Sequence, residues 1–136
     1  MLKRHVDTWA EGCLHKHGYT DFKMMFMPLL MNIDPEGTTN TELAKRAHIT
    51  KQAMSKVVRE LEELGYIESL PNKQDRRSST IVLTKLGKQL VVEARIKVGE
   101  LAEFYAASVG EKKYNEMIDT LMLLLNYHES GGKLPE

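Results

Sequence analysis

The sequence predicts a mainly α-helical, single-domain protein that carries one small β-hairpin. Three observations support this fold class. Apolar residues recur three and four positions apart over most of the 136 residues, as they do in helices buried along one face. One segment, 66–83, departs from that spacing, with two short apolar and β-branched runs around a polar loop. Glycine, proline and threonine occur where these elements would begin or end.

The N-terminal part of the chain predicts two helices. Residues 2–17 carry one apolar stripe and form the first. Thr20 is the predicted N-cap of the second helix, residues 21–33. Pro28 lies inside this second segment and cannot donate a backbone hydrogen bond, so we expect a kink or a restart of the helix there.

Two helices with a three-residue break between them are predicted next. Thr39 and Glu42 have the spacing of a capping box, so a short helix should start near Asn40. After the break His-Ile-Thr, Thr50 is the N-cap of a longer helix that Gly65 ends.

The remaining segments predict the hairpin and two further helices. The runs 66–70 and 79–83 read as antiparallel strands, and Thr84 caps a long helix that breaks at 108–110 before a last helix. A short helix, a turn, a second helix and an immediate hairpin make a winged helix-turn-helix. The predicted fold class is therefore mainly α with a small β-hairpin wing.

Charge is balanced over the chain but segregated along it. The net charge is +0, so the chain lacks the overall basic charge of many nucleic-acid-binding proteins. Five basic residues and no acidic residue lie between Lys45 and Arg59, and further basic residues lie in the hairpin loop. This pattern fits either a solvated surface or two contact points for one polyanion.

The second helix of the helix-turn-helix carries a polar face suited to DNA. Lysine and arginine reach guanine or phosphate, glutamine pairs with adenine, and serine takes either role in the major groove. The alternative is an ordinary solvated helix face. The predicted contact residues of this recognition helix are Thr50, Lys51, Gln52, Ser55, Lys56 and Arg59.

The segment from Thr39 to Gly87 resembles the winged-helix core of the multiple antibiotic resistance regulator (MarR) family. "TELAKRAHITKQAMSKVVRELEELGYIES" is similar to that family's helix-turn-helix. "DRRSSTIVLTKLG" is similar to its wing signature, in which an acid, one residue and an arginine precede a strand that ends in Leu-Thr-x-x-Gly.

The resemblance implies a homodimeric transcriptional regulator, most often a repressor, that binds a pseudo-palindromic site on double-stranded DNA. It implies recognition helix 51–64 and places dimerisation helices at 1–18 and 85–130, around a DNA-binding lobe at 20–84. The dimerisation helices and the DNA-binding lobe together form one domain, 1–136.

In the wing, the resemblance implies that Arg77 enters the minor groove and that the Asp75 carboxylate orients its guanidinium. Arg76 fills the variable position between them, and Lys73 adds a further positive charge.

The resemblance also implies a cleft for a small apolar or aromatic effector. The predicted pocket residues are Trp9, Met24, Met27 and Met31, because flexible thioethers accommodate varied apolar ligands. The alternative is that these residues are simply core.

Other side chains give weaker signals. Cys13 is either an oxidant sensor or a small core residue, and His15 and His17 near it are either metal ligands or ordinary helix residues. No catalytic constellation and no glycine-rich phosphate loop is present in the sequence. We therefore predict no enzyme activity, no cofactor and no metal site.

Without a signal peptide or a long apolar run, a cytoplasmic location with no membrane contact is expected. The rival function is a winged-helix module that docks on other proteins and binds no DNA.

Overall fold

The structure is a computed structural model and describes residues 1–75 and 77–136. The elements follow the predicted order, with one added strand and a short 3₁₀ turn, Met24–Phe26, before the second helix. The helices and strands are α1 (Leu2–Lys16), α2 (Met27–Met31), β1 (Thr38–Thr39), α3 (Asn40–Arg46), α4 (Lys51–Glu63), β2 (Ile67–Pro71), β3 (Ser79–Leu83), α5 (Lys85–Val109) and α6 (Glu111–Glu129).

The chain forms two compact units, Met1–Lys97 and Val98–Glu136. The first unit contains the sheet, the helix-turn-helix and the first half of α5, and it contains every buried residue. The second unit consists of the rest of α5, α6 and the C-terminal residues. Among the described residues, no helix combines the length and hydropathy that a membrane span needs.

The predicted hairpin is confirmed, but the sheet has three strands. Its order is β1-β3-β2, and all pairs are antiparallel. Thr38 pairs with Ile81, and Ile67 pairs with Leu83. Pro71 was expected in the loop but ends β2, a strand at the edge of the sheet. Its missing amide hydrogen there removes no hydrogen bond between strands.

The second helix differs from the prediction at its start. Thr20 does not cap a helix, and residues 20–23 are not helical. A 3₁₀ turn precedes α2, which has Pro28 in its first turn, where a missing amide hydrogen costs no helical bond. The expected restart at this proline is confirmed.

Aromatic packing explains why the chain before α2 is not helical. Phe22 and Phe26 are buried, and the rings of Phe22 and Tyr66 meet edge to face with centroids 5.4 Å apart. The hydroxyl of Tyr66 donates to Asp21 Oδ1 over 2.8 Å. Burial of the Tyr66 phenol, followed by its bond to Asp21, raises its pKa above the ordinary value.

Three threonines cap helices as predicted. The Oγ1 atoms of Thr39, Thr50 and Thr84 each accept a backbone amide three residues later, over 3.1 Å. These bonds fix the first turns of α3, α4 and α5, and so set where the helix-turn-helix begins and where the wing ends.

Candidate nucleic-acid interface

The turn between α3 and α4 is tight. His48 adopts a left-handed conformation with φ 55°, and the amide of Ile49 donates to Ala44 O over 3.1 Å. Leu43 of α3 and Met54 of α4, both buried, belong to the same core. This packing fixes the direction in which α4 presents its other face.

The outward face of α4 is polar and positively charged. Lys51, Gln52, Lys56 and Arg59 are exposed, and the acidic residues of this helix lie in its last turn. The N-terminus of the same helix carries no acidic residue in its first turn. Backbone amides that lack helical partners at this end are suited to a phosphate.

Ser55 lies on the same helix but is half-buried and already bonded. Its hydroxyl donates to Lys51 O over 2.9 Å and accepts from Asn40 Nδ2 over 2.9 Å. Asn40, at the start of α3, was not singled out from the sequence, since a contact between residues 15 positions apart leaves no local pattern.

Arg46 does not join the free basic cluster that the sequence suggested. Its guanidinium donates to Asp34 Oδ2 over 3.0 Å, to Glu42 Oε1 over 3.2 Å and to Asn32 O over 2.7 Å. The bond from Arg46 lowers the pKa of Asp34, and the bond to Asp34 raises the pKa of Arg46. Arg46 therefore anchors the segment before β1 to α3.

The wing tip is an ordered polar turn. Asp75 Oδ1 accepts the backbone amide of Arg77 over 2.9 Å, and Asn72 Oδ1 accepts that of Gln74 over 2.9 Å. Among the described residues, no ion pair joins Asp75 to the Arg77 guanidinium, so the expected brace acts on the backbone instead. Lys73 and Arg77 are exposed, and Arg76 lies outside the described residues.

The wing is also tied to α4. Glu62 Oε1, in the last turn of α4, accepts the backbone amide of Ser69 on β2 over 2.7 Å. No local pattern indicates this bond, because an acidic residue at this position is typical of a solvated helix face.

Three of the four predicted effector residues line one groove of about 410 Å³. They are Met24, Met27 and Met31, and Met25 and Pro28 complete its apolar wall. Lys3 and Asp7 of α1, paired with each other, line the opposite side. Trp9 is not among the described residues that line this groove.

In the part of the chain that the structure describes, Cys13, His15 and His17 do not form a metal cluster. His15 Nε2 lies 3.1 Å from Phe22 O, and His17 pairs with Glu93 through Nε2 at 3.1 Å. Within 1–75 and 77–136, no three His, Cys, Asp or Glu side chains are placed to hold a metal ion.

Comparisons with known proteins agree with the helix-turn-helix and wing described above. Residues 29–79 match the sequence model of the MarR family. The chain is 31% identical over 88 residues, 64% of its length, to the uncharacterized HTH-type transcriptional regulator YdcH of Bacillus subtilis. That match spans 60% of the length of the relative.

Solved structures share the fold over almost the whole chain. FabT of Streptococcus pneumoniae, in complex with DNA, has a TM-score of 0.82 and 23% identity, covering 95% of this chain and 91% of its own. A MarR transcriptional regulator from Methanosarcina mazei has a TM-score of 0.78 and 21% identity, with the same coverages. The resemblance drawn from the sequence is confirmed: residues 29–79 match the MarR family model, and almost the whole chain shares the fold of a solved MarR transcriptional regulator.

Proposed function

We propose that the protein is a sequence-specific, DNA-binding transcriptional regulator. The observation that carries this proposal is the outward face of α4. It holds Lys51, Gln52, Lys56 and Arg59 exposed, on a helix whose acidic residues lie in its last turn and whose core contacts hold it in one orientation. Such a face suits the major groove, where lysine and arginine reach guanine or phosphate and glutamine pairs with adenine. The DNA bound to FabT supports the same kind of partner here.

The wing supplies a second contact. Arg77 is exposed at the tip of a turn that two side-chain-to-backbone bonds hold in shape, and Lys73 lies beside it. An arginine presented in this way suits a narrow minor groove, whose negative potential attracts the guanidinium. Lys73, and Arg76 by its place in the sequence, would bind neighbouring phosphates.

The proposed regulator acts as a homodimer on a pseudo-palindromic operator. Apolar side chains of the second unit are exposed in the single chain, including Leu121 at 54% and Leu124 at 55%. A second copy would cover these side chains. It would also place two recognition helices about one helical turn of DNA apart. Such a regulator would work in the cytoplasm, as a repressor.

Relief of repression would come from a small apolar or aromatic ligand in the methionine-lined groove. Met24, Met27 and Met31 can adjust their side chains to ligands of different shape. Binding would shift the protein towards a conformation whose recognition helices no longer fit successive grooves.

A salt titration separates this function from the rival, a winged-helix module that docks on proteins. Fluorescent duplexes from a random library are titrated with the protein at increasing salt. The affinity for selected duplexes should fall roughly a thousandfold or more between about 50 and 200 mM salt, because lysine and arginine displace counterions from phosphates. No binding to any duplex at low salt would exclude the DNA-binding function and favour the docking module.

A further inference from the structure

Ser55 takes part in a directed chain of hydrogen bonds that crosses from α3 to α4. Asn40 Nδ2 donates to Ser55 Oγ over 2.9 Å, and Ser55 Oγ donates to Lys51 O over 2.9 Å. Asn40 Oδ1 is buried and, among the described residues, has no hydrogen-bond partner. A buried oxygen without a hydrogen bond costs free energy. The Asn40 amide is therefore placed here because its nitrogen bonds Ser55, and not because both of its own polar atoms are satisfied.

The chain decides what Ser55 can offer to another molecule. A serine hydroxyl has one hydrogen to donate and two lone pairs to accept with. Here the hydrogen is used by Lys51 O, and one lone pair is used by Asn40. One lone pair remains, so Ser55 can accept a hydrogen bond from a ligand but cannot donate one.

The same result follows if the Asn40 amide turns over. Its oxygen would then face Ser55 and accept the hydroxyl hydrogen, and its nitrogen would take the unpaired position. In both arrangements a protein acceptor consumes the hydrogen, so the lack of a free donor does not depend on the orientation of the amide.

DNA offers an acceptor-only group few partners in the major groove. Phosphate oxygens, guanine O6 and N7, and thymine O4 are all acceptors and would meet a lone pair unfavourably. The amino groups of adenine (N6) and cytosine (N4) are donors. An acceptor at this position of α4 therefore distinguishes adenine and cytosine from guanine and thymine on the strand it faces.

We propose that the bond to the Lys51 carbonyl makes Ser55 an acceptor-only group, which Asn40 holds in place, so that this position of the recognition helix selects adenine or cytosine and binds no phosphate. Ser55 is then a specificity-determining residue and Asn40 its positioning residue. This inference rests on the DNA-binding function proposed above. It assigns the base preference at one position of the DNA site that the recognition helix binds.

The test is selection of binding sites from a random duplex library with four proteins: wild type, Ser55→Ala, Asn40→Ala and Gln52→Ala. Wild type should select adenine or cytosine at one position of each half-site. Ser55→Ala should accept any base there and lose about fivefold in affinity for the best site, the equivalent of one hydrogen bond. Gln52→Ala, the matched control on the same helix face, should relax a different position.

Asn40→Ala carries the distinctive expectation. Without the amide, the Lys51 carbonyl still takes the hydroxyl hydrogen, so the Ser55 position should keep its preference for adenine or cytosine and lose less affinity than in Ser55→Ala. A general loosening of α4 would instead weaken every position. Urea unfolding of each variant shows whether the fold is kept.

Two results would overturn the proposal. One is a wild-type preference for guanine or thymine at the position that Ser55→Ala relaxes, or no relaxed position at all. The other is an Asn40→Ala protein that accepts guanine or thymine at this position, which would show that Lys51 O does not hold the hydroxyl hydrogen. If wild type selects no site, the DNA-binding function fails on its own. The Asn40–Ser55 bond is then still tested in the free protein, where the Asn40 side-chain amide protons should exchange faster in Ser55→Ala and an unchanged rate would refute it.

Discussion

Gly87 occupies a position that no other residue type can fill without moving the backbone. A β-carbon built there would lie 2.0 Å from the carbonyl oxygen of Tyr66. The same oxygen accepts the amide of Thr84 over 3.1 Å, and the Thr84 hydroxyl donates to Gly65 O over 2.6 Å. The Leu-Thr-x-x-Gly signature thus has a physical meaning: its threonine and glycine join the start of α5 to the start of β2.

Gly87→Ala should therefore destabilise the fold by about 3 kcal/mol, near the upper end of the range for overpacking, because backbone rather than a flexible side chain must shift. Urea unfolding followed by circular dichroism measures the change. Gly12→Ala is the matched control, since nothing lies within 4 Å of its added carbon. It should stabilise α1 by about 1 kcal/mol through helix propensity. Equal effects of the two substitutions would show that Gly87 is not in close contact with Tyr66.

Sequence reasoning succeeded for side chains whose partner is local. Thr39, Thr50 and Thr84 were each predicted as caps, because a cap bond joins residues three positions apart and needs no tertiary information. It could not identify the donor to Asp75, whose orienting role stays a prediction, because both the amide and the guanidinium of Arg77 lie only two residues away. Only the conformation of the turn decides between these two donors.

Arg77→Ala should weaken binding to a selected operator by about 1–3 kcal/mol and leave the fold unchanged. The Asp75 bond is made to the backbone, so the turn keeps its shape when the side chain is removed. Fluorescence anisotropy at fixed salt gives the affinity. Lys133→Ala removes the same charge from an exposed site near the C-terminus and should have little effect. An unchanged affinity for Arg77→Ala would remove this residue from the groove.

At the scale of elements, the long periodic helices and the capped short helix α3 were predicted well, whereas strand β1 and the start of α2 were not. The periodicity of α1, α4, α5 and α6 reports burial along one face over several turns, or a face that a partner would bury. The strand β1 has two residues and exists only because it pairs with β3. The non-helical start before α2 likewise depends on the packing of Phe22 on Tyr66, which no local pattern records.

The bond between Glu62 and Ser69 should couple α4 to the wing. Glu62→Ala leaves the half-buried amide of Ser69 without its acceptor, which should cost about 1–2 kcal/mol of stability. Amide hydrogen exchange at Ser69 should become faster in this variant. Glu63→Ala removes an exposed carboxylate from the same helical turn and is the matched control. If both variants exchange alike at Ser69, the wing is not held by this bond.

The Arg46 anchor predicts a pH-dependent stability. The bond from Arg46 lowers the pKa of Asp34, so the ionised carboxylate stabilises the folded state above the unfolded value of about 3.9. This contribution is lost as the pH falls through the lower, folded value. The difference in free energy of unfolding between wild type and Asp34→Asn should be constant near neutrality and shrink in acid. In an Arg46→Met background the pH dependence of that difference should become much smaller, because only the weaker effect of Thr38 on the pKa of Asp34 remains. An undiminished pH dependence would show that Arg46 is not the main cause of the lowered pKa.

For the whole molecule, charge distribution matters more than net charge. The chain is neutral, yet the cations of the α4 outward face are exposed, whereas Arg46 is held by Asp34 and Glu42. The sequence indicated the cluster correctly but counted Arg46 in it, because a linear charge count cannot show which cations are already paired. The salt dependence of any DNA binding should therefore reflect the exposed residues alone.

The second unit exposes apolar side chains that a second copy of the chain would cover. Within residues 98–136, all of them described, no side chain is buried, although α6 bears an apolar stripe with Leu121 and Leu124 on it. Contiguous exposed apolar surface of this kind is typical of interfaces. The spacing of apolar residues predicts a helix with one apolar face. Which surface covers that face depends on the assembly and cannot be predicted from one chain.

Replacing both Leu121 and Leu124 by glutamate should convert a dimer into a monomer, because a dimer would have to bury two charges without partners. Sedimentation equilibrium measures the mass. Affinity for a full pseudo-palindromic operator should fall by at least about a hundredfold, since the two half-sites are no longer bound as one unit. Asn126→Glu, which adds the same charge at an already polar position of α6, should leave the mass unchanged if that position lies outside the interface. If the double variant stays dimeric and keeps its operator affinity, the stripe on α6 is not the dimer contact, and the proposed spacing of the recognition helices must be set by another surface.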